Sequence, residues 1–431
     1  MQTASKKVIN GWAMYDWANS VYNLVITTTF FPAYYAAVTA TTTDKYKHGV
    51  SFLGRTFVNT ELKDYFFSAA YIVIIFLSPI LSSIADYRGN KKSFMRFFCY
   101  LGGISCSLMF FFDGDNVIFG LFMLLLACIG FYGSQVFYNS YLPEIAAEAD
   151  QDRISARGYT FGYIGSVLMQ MIGFGMVIAM PDSTLPLKLS FLLVGVWWIG
   201  FAQITFARLP RSAPSGKEKG HLLSHGFIEL KKVARQLRHM PVLKRFLAAF
   251  LFYSMGVQTV MLIATDFGIK ELHLKNSKLI LVLVVIQLVA IIGAIGMSRL
   301  AARIGNIRVL SLTVLLWVCV CIAGYFMRTE LHFYIIAAVV GLVMGGIQSV
   351  SRSTYSKYMP ATRDTASFFS FFDITEKLAI VVGVFSFGLI EGLTHSMRNS
   401  ILALIIFFAI GFILLLYAGQ AVSKNKLHEA V

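Results

Sequence analysis

Asp16, Asn19, Ser20, Asn23 and Thr27 stand at i, i+3, i+4, i+7 and i+11 inside the first long apolar stretch of the chain. On an α-helix that spacing places all five on one stripe. An acid set among amides and hydroxyls suits contact with a polar solute or a hard cation. Facing hydrocarbon, the aspartate alone would cost a few kcal/mol, so the stripe must face other helices or a wet cavity. As interhelical glue each group would contribute about 0.6 kcal/mol. Five polar positions on one face exceed what packing needs, which favours a lining role.

A second group of charges lies near the far end of the sequence. Asp373 and Lys377 are one helical turn apart and can pair, which lowers the cost of burying both. Glu376 then has no obvious partner on its own helix. A carboxyl left in an apolar setting is a candidate proton carrier, whereas a paired one can be purely structural; both roles stay open for Asp373 and Glu376. Two further i, i+4 polar pairs are Gln135 with Asn139 and Gln348 with Arg352. Arg352 either anchors a helix end, being close to Lys357, or offers its planar fork to a carboxylate or phosphate. Gly158, Gly162 and Gly165 read as a close-packing helix face.

The elements that must hold these groups are membrane helices. Of 431 residues 57% are hydrophobic and only 14% charged, with a mean hydropathy of +0.68, far from a soluble composition. A span needs about 20 mostly apolar residues. Twelve such stretches are expected, near 11–40, 65–85, 94–112, 117–142, 158–180, 188–207, 244–267, 278–300, 308–327, 332–358, 366–394 and 399–419. The fold class is therefore an all-α membrane protein. The first stretch is too long and too mixed in polarity for a cleavable signal peptide.

The net charge of +15 is explained by topology and requires no nucleic-acid partner. With both termini inside, 26 of the 37 Lys and Arg fall on the inner side and 10 outside, so both termini are expected to be cytoplasmic. All five cysteines fall in apolar spans and read as small core residues. The eight histidines lie in loops or at span ends, which argues against haem or membrane diiron chemistry. No G-x-x-x-x-G-K-[ST] occurs, so ATP-driven pumping has no visible engine. Neither an enzyme nor a cofactor nor a bound metal is expected.

The spans divide six and six around the longest loop. The expected units are 1–207, a linker at 208–243, and 244–431. The linker opens with "RLPRSAPSGKEKG"; Leu223, Phe227, Leu230, Ala234 and Leu237 then follow at helical spacing with basic residues opposite. This reads as an amphipathic helix on the inner membrane face, or simply as a solubilising connection. The halves echo each other. "ADYRGNKK" and "AARIGNIR" align on Gly89-Asn90 and Gly305-Asn306, 216 positions apart, and Gln135 aligns with Gln348, 213 apart. Two near-equal offsets argue for duplicated halves, as in many secondary transporters.

These features resemble the major facilitator superfamily: six plus six helices, a long central loop, and a D-x-x-G-x-K/R loop after the second span at Asp86–Lys91. In that superfamily this loop latches one conformation, so the resemblance implies gating roles for Asp86, Arg88 and Gly89. Ser82, Tyr87 and Asn90 depart from the superfamily pattern. "YDWANSVYNLVI", "FYNSYLPEIA", "SARGYTFGYIGS", "GGIQSVSRSTYSKYMP" and "FFSFFDITEK" resemble the branch of fungal vacuolar amino-acid effluxers and their bacterial relatives.

The resulting expectation is a monomeric secondary transporter in a bacterial cytoplasmic membrane, moving a small polar solute by alternating access, with amino acids or similar zwitterions first. Asp16, Asn19, Ser20, Asn23, Gln135, Asn139, Gln348 and Arg352 would bind solute, and Asp373, Glu376 and Lys377 would couple a proton. Sodium coupling is the alternative, because the first-span stripe offers oxygen ligands. A non-transporting receptor on the same fold is the third reading.

Overall fold

A chain that crosses a bilayer must satisfy every backbone polar group within itself, and here it does so with helices. The computed structural model describes residues 2–40, 49–181, 183–214, 222–274 and 276–429. In chain order the helices are α1 (Lys6–Val21), a π-helical stretch (Tyr22–Phe30), α2 (Phe31–Val38), α3 (Asn59–Arg88), α4 (Lys91–Leu108), α5 (Val117–Ser140) and the single turn α6 (Leu142–Ile145). They continue with α7 (Gln151–Ala179), α8 (Leu185–Arg208), α9 (Leu222–Arg238), α10 (Pro241–Leu272), α11 (Asn276–Ile304) and α12 (Asn306–Phe326). The last three are α13 (Glu330–Tyr358), α14 (Thr365–Thr394) and α15 (Met397–Glu429). Eleven helices among the described residues are long and apolar enough to cross a membrane. The first expected span is the twelfth, built of three consecutive pieces.

That break has a local cause. Pro32 opens α2, and a proline ring clashes with the carbonyl four residues back while donating no hydrogen bond. The turn before it is widened, and threonine hydroxyls take carbonyls five residues back: Thr28 Oγ1 to Asn23 O at 3.0 Å and Thr29 Oγ1 to Leu24 O at 2.8 Å. Pi-helical turns are uncommon and recur at functional sites. The sequence reading missed this stretch, and also a hairpin between the first two spans. Strands β1 (Gly49–Phe52) and β2 (Arg55–Val58) pair antiparallel around Leu53 and Gly54, both at positive φ.

By contacts the chain forms two compact units. One comprises 1–4, 140–160 and 227–431, the other 5–139 and 161–226, so a boundary falls inside α7. In the first, α10 packs on α14 and α15, α11 on α13, and α12 on α15. In the second, α1 and α4 pack on α8. Gly162 lies against Ser20 and Gly165 against the Trp17 carbonyl, which is the close-packing face read from the sequence. Both glycines of the repeated G-N pair follow a helix end at positive φ, +67° for Gly89 and +93° for Gly305, where an L side chain would be strained. The linker helix expected after 220 is present as α9, with Val233 buried and Lys231, Lys232 and Arg235 exposed. Residues 215–221 of that linker lie outside the described residues.

Candidate functional site

The first-span acid accepts a hydrogen bond from a tyrosine. Asp16 is 4% exposed, and its Oδ2 accepts from the Tyr138 hydroxyl on α5 at 2.7 Å. Trp12, one turn earlier on α1, fixes that tyrosine: its Nε1 donates to the Tyr138 carbonyl at 2.9 Å, and the rings stack at 4.5 Å. Asn19 is fully buried; Ser20 Oγ reaches its Oδ1 at 3.5 Å, while its Nδ2 has no partner. Beyond Tyr22 the π-helical turns change the phase of the expected stripe. Asn23 is exposed, and Thr27 is half-buried with an unpartnered hydroxyl. Gln135 and Asn139 are both half-buried on α5. Tyr138, between them in the sequence, was missed as a polar partner because among aromatic neighbours its ring reads as packing.

The helix-14 charges form a different kind of site. Lys377 donates to Asp373 Oδ1 at 2.9 Å and to Glu376 Oε2 at 3.0 Å, and Gln258 Nε2 from α10 donates to Glu376 Oε1 at 3.0 Å. Glu376 therefore does have a partner on its own helix, contrary to the sequence expectation: the lysine bridges both acids. Lys377 is 1% and Asp373 4% exposed, and Asp373 Oδ2 has no hydrogen-bond partner. These two carboxylates and one ammonium carry a formal charge of −1 between them, with Glu376 half-buried.

Glu376 opens onto a cavity of about 20 Å³ lined by Tyr159, Phe250, Tyr253, Ser254, Gln258, Gln348, Ser351 and Phe372, with Val257 and Ile347. Tyr253 and Ser351 hydroxyls pair at 2.7 Å, and Phe250 stacks on Phe372 at 4.2 Å. Of the described lining residues, Glu376 alone carries a full charge.

Arg352 does not line this cavity. It is 1% exposed; Nε donates to Ser155 Oγ at 3.0 Å, Nη2 to the Ser155 carbonyl at 2.7 Å, and its guanidinium lies 4.2 Å over the Tyr159 ring. Nearby, Asp152 accepts from Asn306 Nδ2 at 2.7 Å and from Lys357 Nζ at 2.5 Å. Asp152 was missed because an acid in the first turn of a helix ordinarily reads as a response to the helix dipole. Of the expected gating residues, Asp86 is paired with Lys91 at 2.9 Å, both about 1% exposed, Arg88 is exposed, and Gly89 abuts the backbone of Ser212–Pro214.

The solute-binding residues read from the sequence fall in both compact units: Asp16, Asn19, Ser20, Asn23, Gln135 and Asn139 in one, Gln348 and Arg352 in the other. Long apolar helices carrying charged clusters, one of them beside a small cavity, fit a multi-pass membrane transporter. Solved structures agree on the fold. An outward-facing major facilitator transporter, FucP, aligns with a TM-score of 0.70 at 14% identity, covering 96% of this chain and 97% of its own. The human organic anion transporter MFSD10 aligns at 0.68 and 13%, covering 95% and 98%.

The family described as "Vacuole effluxer Atg22 like" matches residues 4–428, and the chain belongs to it. An uncharacterized MFS-type transporter of Bacillus subtilis, YxiO, is 31% identical over 96% of each chain. Autophagy-related protein 22 of Saccharomyces cerevisiae is 24% identical over 91% of this chain and 88% of its own.

Proposed function

We propose that this transporter moves a small polar solute, an amino acid or similar zwitterion, by alternating access coupled to a proton. The observation that carries the reading is the Asp373–Lys377–Glu376 cluster, two acids and one base beside a small cavity lined by both polar and apolar side chains. Such a charge is costly inside a membrane protein and is removed when a proton binds. Gln348 and the first-span groups Asp16, Asn19, Ser20 and Asn23, with Gln135 and Asn139 on α5, bind the solute. Arg352 supports Tyr159 from behind the cavity, and Asp86, Arg88 and Gly89 take part in gating. The distribution of basic residues supports cytoplasmic termini in a bacterial inner membrane. The names of the family, a vacuole effluxer, and of one structural neighbour, a fucose:proton symporter, fit solute movement and proton coupling.

Flux in proteoliposomes under an imposed pH gradient tests this. Gradient-driven movement of an amino acid mixture is expected in the native chain and is expected to vanish in Glu376→Gln. Movement that follows an imposed sodium gradient at fixed pH would sink the proton reading.

A further inference from the structure

We infer that the groove between α7 and α8 is a lipid site: one acyl chain of an anionic phospholipid lies in it, and the phosphate of that lipid sits at Lys7 and Arg208. The site goes beyond the solute reading above and lies wholly within the compact unit of 5–139 and 161–226.

Leu193, Trp197, Gly200 and Ile204 line the groove along α8, and Met169 and Ile172 line it from α7; its volume is about 460 Å³. The α8 positions recur at helical spacing, so they share one face. A Cβ built on Gly200 would meet nothing within 4 Å, so the groove stays open where the glycine leaves it. Trp197 makes a fixed wall. Its Nε1 donates to the Trp17 carbonyl at 3.1 Å, and the two rings stack at 5.5 Å.

The dimensions select the occupant. Leu193 and Ile204 are 11 residues apart, about 16 Å at 1.5 Å per residue. Spread over that length the volume gives a cross-section of roughly 28 Å², whereas a helix about 10 Å across needs roughly 80 Å². One hydrocarbon chain fits, and a helix of a second copy does not. Arg208 stands 15 residues from Leu193, about 22 Å along the axis. One leaflet, from midplane to headgroups, is about 20–22 Å deep. The groove therefore runs from the bilayer centre towards headgroup level, and Arg208 stands at that level.

The charge at this end selects the headgroup. The Arg208 stem lies over Gly11 of α1, and Lys7 stands one turn before Gly11 on the same helix face. Among the described residues no carboxylate pairs with Lys7 or Arg208. The last carbonyls of α8 do not occupy Arg208 either, because Lys92 Nζ takes those of Phe206 and Leu209. Two cations gathered without an acid favour an anion between them, and a phosphate accepts from both a guanidinium fork and an ammonium. A zwitterionic headgroup brings its own cation and gains less.

Lipid binding to the delipidated full chain in detergent, counted by native mass spectrometry and read as thermal stabilisation, tests the inference. The probes are dioleoyl phosphatidylglycerol, dioleoyl phosphatidylcholine and inorganic phosphate. The first phosphatidylglycerol is expected to bind at least tenfold tighter than phosphatidylcholine, and phosphate alone to give no stabilisation. Arg208→Met keeps the stem over Gly11 and should weaken phosphatidylglycerol about fivefold; Lys7→Gln, at an exposed position, should do the same. Gly200→Leu fills the groove and should remove the tight site while leaving the delipidated chain as heat-resistant as the native one. Gly296→Leu on α11, where an added Cβ also meets nothing within 4 Å, should leave binding unchanged.

Equal binding of the two lipids, as for ordinary boundary lipid, would overturn the inference, and so would stabilisation by phosphate alone. Native-like binding by both R208M and K7Q, or by G200L, would do so as well. A dimer that disappears in G200L would give the groove to a second copy instead. None of these readouts depends on solute movement, so they stand apart from the proton-coupled reading.

Discussion

Asp16 and Asp373 are both 4% exposed aspartates, and the hydrogen bonds described at each differ in kind. Asp16 accepts a hydrogen bond from a tyrosine that is itself fixed by Trp12. Asp373 shares a lysine with a second acid and leaves one oxygen unpartnered. A dipole such as a phenol stabilises a carboxylate but cancels no charge, and its partner survives its loss with a smaller deficit. An ammonium cancels one charge outright, and whatever it leaves over is available for a ligand. The first arrangement suits a fixed polar wall, and the second suits a group whose occupancy changes during a cycle.

Substitutions ordered by size sharpen that contrast. Lys377→Met removes the ammonium between buried Asp373 and half-buried Glu376 and should cost about 3–5 kcal/mol of stability, read as a loss of thermal resistance in nanodiscs near neutral pH. Tyr138→Phe removes only a hydroxyl donor from Asp16 and should cost about 1–3 kcal/mol in the same measurement. Asp16→Asn keeps an acceptor for Tyr138 and should change stability by less than about 1.5 kcal/mol. A D16N variant less stable than K377M would break the comparison, because the charge of Asp16 would then matter more than its bond to Tyr138.

The span positions were legible because the bilayer imposes one rule on every residue of a crossing segment. No comparable rule governs the detail within a span. Pro32 was visible in the sequence, but whether a proline bends, breaks or widens a helix depends on which carbonyls find other donors, here the hydroxyls of Thr28 and Thr29. The hairpin at Gly49–Val58 turns at Leu53-Gly54, which lacks the Asn-Gly signal that marks such turns. At the acid cluster the Asp373–Lys377 pair followed from spacing alone. The bond from Lys377 to Glu376 did not, because adjacent helix residues point to different faces. Arg352 shows the same limit: its charge was plain, but its partner Ser155 lies 197 residues away.

The widened turn at Tyr22–Phe30 also bears on how this chain is aligned with others. A π-helical turn is an α-helix that has absorbed one extra residue. A relative with a regular first helix would therefore align here only with a one-residue gap, and residues on either side of it would keep their partners. Deleting one residue without such accommodation turns everything beyond it by about 100° about the helix axis. Phe31, Tyr34 and Tyr35 would then leave Phe112, which they now meet at ring distances of 5.1–6.4 Å, so the insertion is what keeps the two ends of this helix in phase with their separate neighbours.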